Sequence, residues 1–370
     1  MRFELPGASL RFQALDERDT RVALAELDPY APSDDGRSDV EVVNADARAL
    51  RFVAIQNPAG DGRVTASDGS LLYLLDAGGA CSIPRFDRGV PYRFERAPAF
   101  PIRVLMRAAL RPALQLAMLD NDVVAVHGTA VEHRGRGVVV AGWSESGKTE
   151  TALAFLERGA RFVSDKWTIV APEMNVSPFP ISVGIRRWVL PFLPRLRREL
   201  PRAARAQLVA AAAASATTRP LRGARMSGTI GRAAATAAAQ AVALADRAAL
   251  RPSQVARAYG VDRPLQNARL ETVAFLTNVS NADISARATD APTLARRLAR
   301  SASYERRPFF DLMRRMRFAL PDVSAELELV VERREEELLA RRLDGVQLLD
   351  VRAPFPTDPR VVADAIAAWL

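Results

Sequence analysis

Eight consecutive residues hold the most specific chemistry in this chain. Gly142-Trp143-Ser144-Glu145-Ser146-Gly147-Lys148-Thr149 satisfies G-x-x-x-x-G-K-[ST] at every fixed position. Glycines in such a loop let the backbone turn tightly, so that successive N–H groups converge on phosphate oxygens. The apolar run Val138-Val-Val-Ala precedes the loop, and a helix-forming stretch from Lys148 to Arg158 follows it. That helix would turn its partially positive N-terminus toward the same anion. Lys148 is then expected to neutralise the β- and γ-phosphates, and the Thr149 hydroxyl to ligate magnesium. The ligand these residues call for is ATP or GTP with Mg²⁺. Glu150, next on the helix, can also act simply as a first-turn acid that favours the helix dipole.

Lysine is scarce in the chain. Only Lys148 and Lys166 occur, so the 52 basic residues include 50 arginines. In such a background a lysine marks a place for the compact ammonium. Asp165 sits just before Lys166, at the end of the strand-like run Arg161-Phe-Val-Ser-Asp. A strand-end carboxylate beside a phosphate loop can act as general base or hold magnesium, and a cap or solvated loop acid is the alternative. His127, in Val123-Val-Ala-Val-His, can serve the site or sit in the core. Trp143, Trp167 and Trp188 fall near this core, where stacking on a base and ordinary packing are both open.

These residues need elements to position them. Apolar positions at helical spacing over residues 102–119 predict a helix. A strand over Val123–Val131, a turn at His133-Arg-Gly-Arg, and the strand Val138–Ala141 come next. Then follow the loop's own helix and the strand Arg161–Asp165. Residues 1–100 alternate β-rich runs, such as Leu50–Ile55 and Leu71–Leu75, with turn signals at Gly60-Asp-Gly and Ala77-Gly-Gly, and predict a β-rich N-terminal domain. From 192 to 259 the composition shifts to alanine and arginine, which predicts a helical insertion of two or three helices joined near Gly223–Gly231. Strand character returns at Thr272–Leu276 and Val346–Val351, with helices around Ala325–Arg342 and from Asp358 onward. Residues 101–370 are thus expected to form the nucleotide-binding domain, and the fold class is α/β.

Composition narrows the function. The chain has 370 residues, a net charge of +9, 49% hydrophobic and 26% charged residues, which is globular composition. One cysteine, Cys81, excludes a disulfide framework, and two histidines, His127 and His133, leave little room for a histidine-based zinc centre. No apolar run approaches a membrane span, and the charge and proline in Met1-Arg-Phe-Glu-Leu-Pro do not suit a signal peptide. The expected location is cytoplasmic, with no membrane partner. The positive charge is spread as arginine through an alanine-rich chain, without the basic stripe interleaved with aromatics that nucleic-acid binding wants. No nucleic-acid partner is expected.

His127-Gly128, the hairpin, the loop and Thr149-Glu-Thr-Ala-Leu-Ala-Phe-Leu-Glu-Arg-Gly-Ala-Arg-Phe-Val-Ser-Asp165 together resemble the core of HPr kinase/phosphorylase, over residues 127–167. Members of that family read approximately H-G, strand, G-x-S-G-x-G-K-S-E-T-A-L, a helix ending R-G-H, and a strand closing on two consecutive aspartates. The resemblance implies a phosphoenolpyruvate-carboxykinase-like P-loop fold, Mg²⁺ dependence and phosphoryl transfer to a serine hydroxyl. It implies that Asp165, matching the first aspartate, takes the acceptor proton and helps hold magnesium. His127 would tune or orient Asp165, and Glu150 matches the glutamate that follows the loop. Two departures stand out: Lys166 replaces the second aspartate, and Glu145 stands where relatives have glycine. Lys166 could pair with Asp165, contact a phosphate in place of part of the metal's charge, or mark lost catalysis, a solvated side chain being the remaining alternative.

The function expected on these grounds is an ATP- or GTP-dependent kinase acting on a hydroxyl, serine of a peptide or protein first. A nucleotide-binding pseudokinase or scaffold, and a small-molecule kinase on the same fold, are the alternatives. The C-terminal signature of bifunctional relatives is not recognisable. Arg186 and Arg187, and the eight arginines between Arg296 and Arg317, could clamp a phosphate or an acidic partner, or form solvated faces. Oligomeric state stays open, a homo-oligomer included.

Overall fold

The strand Ala268–Asn278 is flanked on both sides by parallel neighbours, Arg136–Gly142 and Gln347–Ala353. Strands covered on both faces carry continuous apolar runs. Val138, Val139, Val140 and Ala141 are accordingly all buried, with alternate residues serving two different cores. Val138 and Val140 meet Leu153 and Phe155 of the helix Lys148–Glu157. Val139 and Ala141 face the core built from Ile102–Asp120, Ala291–Glu305 and Leu327–Arg342. The computed structural model describes residues 1–34, 36–45, 54–56, 64–76, 79–87, 89–211, 246–280, 283–320, 322–323 and 326–370. It is an α/β protein, as the motif and the periodicities predict.

The run Val123–Val131 is not one strand. It divides at His127 into Val124–Val126, which pairs with Thr168–Val170, and Gly128–His133, which pairs with Arg136–Gly142 and Arg161–Ser164. His127 therefore lies where the chain passes from one set of partners to another. The helix expected over 102–119 is present as Ile102–Leu105 and Arg111–Asp120, joined by a π turn at Met106–Leu110. Pro112 explains the wider turn, because its ring nitrogen has no proton to donate and crowds the preceding turn.

In the N-terminal region, strands Arg2–Leu5, Ala8–Gln13, Val40–Asn44, Leu72–Asp76, Gly79–Ile83 and Tyr92–Arg96 belong to one mixed sheet. Its buried side chains Phe3 and Phe94, with Phe100 from the turn that follows, share a core with Leu110, Val123 and Phe309, so the packing is continuous across residue 100. A helix at Glu17–Glu26 lies inside this β-rich stretch, and Asp16 caps it by accepting from the Asp19 N–H. The turns expected at Gly60 and Gly78 lie outside the described residues, as does the joint near Gly223–Gly231. Within the alanine- and arginine-rich region, helices at Pro194–Glu199, 202–211 and Pro252–Ala258 are present. Arg247–Leu250 is a strand, however, not a helix, and pairs antiparallel with Val183–Arg186. Its alternation of exposed Arg247 and Ala249 with buried Ala248 and Leu250 has the strand period of two, which overrides alanine's helical preference.

Candidate phosphate-binding site

Strand Arg136–Gly142 ends directly in the loop, and Gly147 caps the following helix at φ +93. Gly142 is required by space and Gly147 by its left-handed backbone. A side chain at Gly142 would meet Ser146 Oγ at 2.6 Å and Leu276 O at 2.7 Å, and one at Gly147 would press on Phe355. Glu145, also at positive φ, occupies the outer bend of the loop. Lys148 folds back over it and donates to Trp143 O at 2.6 Å and Gly142 O at 3.2 Å. Burial lowers its pKa to about 8, against the opposing pull of Glu305, Asp165 and Glu150. Glu150 is buried behind the loop and its pKa is raised by that burial, countered by Arg186 and Arg247.

Asp165 forms the floor. Its Oδ1 accepts the hydroxyls of Thr149 and Thr129, each at 2.7 Å. Its Oδ2 is buried and has no hydrogen-bond partner among the described residues. The carboxylate is held there by a three-residue turn. Trp167 N–H donates to Asp165 O at 2.7 Å across Lys166, which takes a left-handed φ of +62. Ser164 fastens the turn by donating to Trp167 O and accepting from the Phe179 N–H. The turn separates the two side chains: Asp165 is buried, while Lys166 is half-exposed and pairs with Glu305 at 3.5 Å.

His127 does not contact Asp165 through any hydrogen bond, contrary to the expected orienting role. Its Nδ1 lies 2.8 Å from Ser301 Oγ, and Ser301 Oγ donates to Gly142 O at 3.0 Å. A carbonyl cannot donate, so Ser301 gives its one proton to Gly142 and His127 Nδ1 must supply the other. Both bonds hold at once only in the Nδ1–H tautomer, whereas the Nε2–H tautomer would turn its proton toward Glu305, 3.8 Å away, and leave Nδ1 to accept from Ser301. Burial, and then the charges of Lys148, Lys166 and Arg306, push the imidazole pKa well down, so the ring is neutral.

The remaining wall comes from the hairpin of Val183–Arg186 with Arg247–Leu250 and from Phe355. Arg186 donates to Glu145 at 2.6 Å and lies 3.9 Å from Glu150. Together these elements line one pocket open to solvent. Ser144, Glu145, Ser146, Gly147, Lys148, Thr149, Glu150, Asp165, Lys166 and His127 all line it. Trp143 does not. It is half-exposed and stacks on Tyr304 with ring centroids 4.4 Å apart, while Trp167 packs against His127 and Trp188 against Phe355.

Three contributors were not legible beforehand. Ser301 and Glu305 end the helix Ala291–Glu305, and Arg247 lies in the segment read as helical. The one signal was that Glu305 is one of only two acids, with Asp311, in an arginine-rich run. The arginines of that run mostly serve the fold. Arg306 is buried and forks onto Glu335, Arg297 pairs with Asp350, and Arg296 with Glu336. Arg187 likewise pairs with Asp246.

The donor set fits a nucleotide phosphate with a divalent ion. A buried lysine and loop amides face the pocket, Thr149 and Asp165 are joined at its floor, and Ser146 Oγ and Asp165 Oδ2 are buried polar atoms without partners among the described residues. Among those residues no group of three or more His, Cys, Asp or Glu could hold a metal alone. A metal here would complete its shell with phosphate oxygens and water, as magnesium does.

No protein-family model matches the chain. The HPr kinase/phosphorylases of two strains of Treponema pallidum, the Nichols strain being one, are each 42% identical to it over 57 residues, 15% of this chain and 18% of theirs. The chain thus matches less than a fifth of the length of these curated relatives. The solved structure of the Hpr(Ser) kinase/phosphatase from Coxiella burnetii aligns over 66% of this chain and 89% of its own, with 9% identity and a TM-score of 0.25. The chain is HPr kinase-like in its matched stretch. No helix among the described residues is long and apolar enough to cross a membrane.

Proposed function

We propose that this chain is a phosphotransferase that moves the γ-phosphoryl group of ATP or GTP to a hydroxyl, serine of a peptide or protein first. The observation that carries this reading is the shared Asp165 carboxylate. Oδ1 takes the Thr149 hydroxyl of the phosphate loop, which leaves the buried Oδ2 of this pocket-lining residue with no partner among the described residues. The short stretch of identity with HPr kinase/phosphorylases supports the same chemistry.

In this reading Lys148 and the loop amides bind and orient the phosphates. Lys148 now donates to two loop carbonyls and would turn to the anion. Thr149 and Asp165 would hold Mg²⁺, whose chemistry is to neutralise charge on the phosphate oxygens. Asp165 Oδ2 accepts the proton of the attacking hydroxyl. His127 supports the site from below: its neutral ring and Ser301 hold the Gly142 carbonyl and so the loop's first turn. Lys166 and Glu305 set the charge at the rim.

A second reading, a nucleotide-gated binding protein without transfer, draws on the cation at Lys166 beside the floor carboxylate. Two measurements separate them. Thermal unfolding with ATP and with GTP, each with and without Mg²⁺, should show a magnesium-dependent gain of about 2.7 kcal/mol at a hundredfold excess over Kd. Slow release of phosphate to water from ATP or GTP, lost in Asp165→Asn, supports transfer. Binding without any such turnover favours the second reading, and no binding sinks both.

A further inference from the structure

We propose that Arg247 and Arg186 form a second anion subsite, at the outer wall of this pocket, for a phosphate-type oxyanion lying beyond the two phosphates that the loop cradles. The proposal rests on the nucleotide reading above and adds to it the chemistry of the group that meets the terminal phosphate.

Arg186 and Arg247 are directly opposite in the antiparallel register of Val183–Arg186 with Arg247–Leu250. Like charges in that position destabilise a strand pair. The hairpin's other face, Val183, Ile185, Ala248 and Leu250, is buried in the core and fixes which way both arginines point. Arg186 is compensated by Glu145 and Glu150. The Arg247 guanidinium has no hydrogen bond or ion pair with any described residue, and it lines the same pocket as the phosphate loop. A guanidinium that lines a phosphate loop's pocket with its N–H groups unbonded to any described residue suits an anion, since its planar fork matches two phosphate oxygens.

Gly184 is the independent observation. It lies two residues before Arg186, on the same face, and the Arg247 side chain crosses it. A Cβ at residue 184 would fall 1.7 Å from Arg247 Nε and 2.1 Å from Nη2. Its backbone is not left-handed, so no turn requires a glycine there. The glycine instead gives the guanidinium room to lie across the strand, and a Cβ there would displace it. Depth separates this subsite from the loop: Lys148 is buried, whereas Arg247 is exposed and Arg186 reaches Glu145 at the loop's outer bend.

The oxyanion can be the nucleotide's terminal phosphate or an anionic group of the acceptor, and calorimetry on the full chain distinguishes them. Inorganic phosphate is titrated into protein loaded with Mg·ADP and into protein loaded with a non-hydrolysable Mg·ATP analogue. Arg247→Ala removes the charge, and Gly184→Ala keeps it but displaces the guanidinium. Arg187→Ala, whose guanidinium pairs with Asp246, is the control for long-range charge. Arg247→Ala and Gly184→Ala are each expected to weaken phosphate binding to the ADP-loaded protein about tenfold, with ADP affinity held within about twofold and Arg187→Ala unchanged. Arg247-dependent phosphate binding that persists in the analogue-loaded protein assigns the oxyanion to the acceptor. Binding confined to the ADP-loaded protein, with analogue affinity itself falling about tenfold in Arg247→Ala, assigns it to the terminal phosphate. The subsite is overturned if phosphate does not bind, if Arg247→Ala and Gly184→Ala leave its affinity unchanged, or if ADP affinity or Arg187→Ala falls alongside. Should the protein bind no nucleotide, the nucleotide reading fails by itself. Phosphate titrated into the unloaded protein then decides the subsite with the same variants.

Discussion

The Thr149 hydroxyl donates to Asp165 Oδ1 at 2.7 Å, joining the end of the phosphate loop to the end of the strand Arg161–Ser164. Thr129, from a third strand, donates to the same oxygen. Three segments are thus tied at one carboxylate, and the tie predicts how substitutions there divide between stability and binding.

Asp165→Asn keeps an oxygen acceptor for both hydroxyls and should leave the fold intact while abolishing magnesium-dependent nucleotide binding. Asp165→Ala leaves two hydroxyls without an acceptor, one of them fully buried, and should cost about 1–3 kcal/mol. Urea unfolding of the two variants, beside nucleotide titrations with and without Mg²⁺, checks the split.

Lys148 carries a folded-state pKa of about 8, below its ordinary value near 10.5. Between those values the unfolded chain binds the proton more tightly than the folded one, so the destabilisation is full below pH 8 and fades as pH rises toward 10.5. Relative to Lys148→Met, the wild type should gain stability across that window, by at most about 3 kcal/mol. Denaturation of both proteins at pH 7.5 and pH 10 measures the difference. Lys148→Met should also lower nucleotide affinity at least about tenfold.

His127 should remain neutral through pH 5, because its pKa is depressed by burial and then by neighbouring cations. Long-range ¹H–¹⁵N spectra of the imidazole would show the tautomer directly. A titration midpoint near 6.5 would contradict this assignment. Ser301→Ala removes the Nδ1 partner and should favour the tautomer whose Nε2–H points toward Glu305.

Arg306 and Glu335 are both buried, with two hydrogen bonds between them, and the guanidinium also donates to Gln115 at 2.6 Å and covers Trp167. Removing either partner alone should cost about 3–5 kcal/mol, because the other charge is left buried without compensation. A double replacement by apolar residues should recover much of that in the same unfolding assay. Lys166 with Glu305 is the contrasting pair. Lys166 is half-exposed, so a double-mutant cycle should give a coupling below about 1 kcal/mol that shrinks with salt.

Much of the site could be read from the chain because its residues are contiguous and their spacing is tied to backbone geometry. Gly142 to Glu150 fall where strand, loop and helix were expected, and Asp165 closes the next strand. The hidden parts come from elsewhere. Glu305 reaches the pocket, and Ser301 the Gly142 carbonyl, because their helix packs over the strand Arg136–Gly142, and nothing local in sequence encodes that crossing. Arg247 was hidden by composition, since alanine and arginine favour helices while pairing with Val183–Arg186 dictates a strand. His127 lines the pocket, but its hydrogen bond goes to Ser301 and not to Asp165, the residue it was expected to tune or orient. The break in pairing at that residue, which separates Val124–Val126 from Gly128–His133, decides what its ring can touch.

Gly142 is supported laterally by Leu276, and the strand of Leu276 by Gln347–Ala353 in turn. Both partners are synthesised long after the loop itself. On the ribosome, residues 142–149 therefore emerge without the neighbours that align their amides, and helix packing alone cannot complete the cradle. Non-local parallel pairing is the slow part of folding. Nucleotide capture should accordingly begin only when the C-terminal strand has left the exit tunnel, and chains stalled before residue 353 should be produced without it.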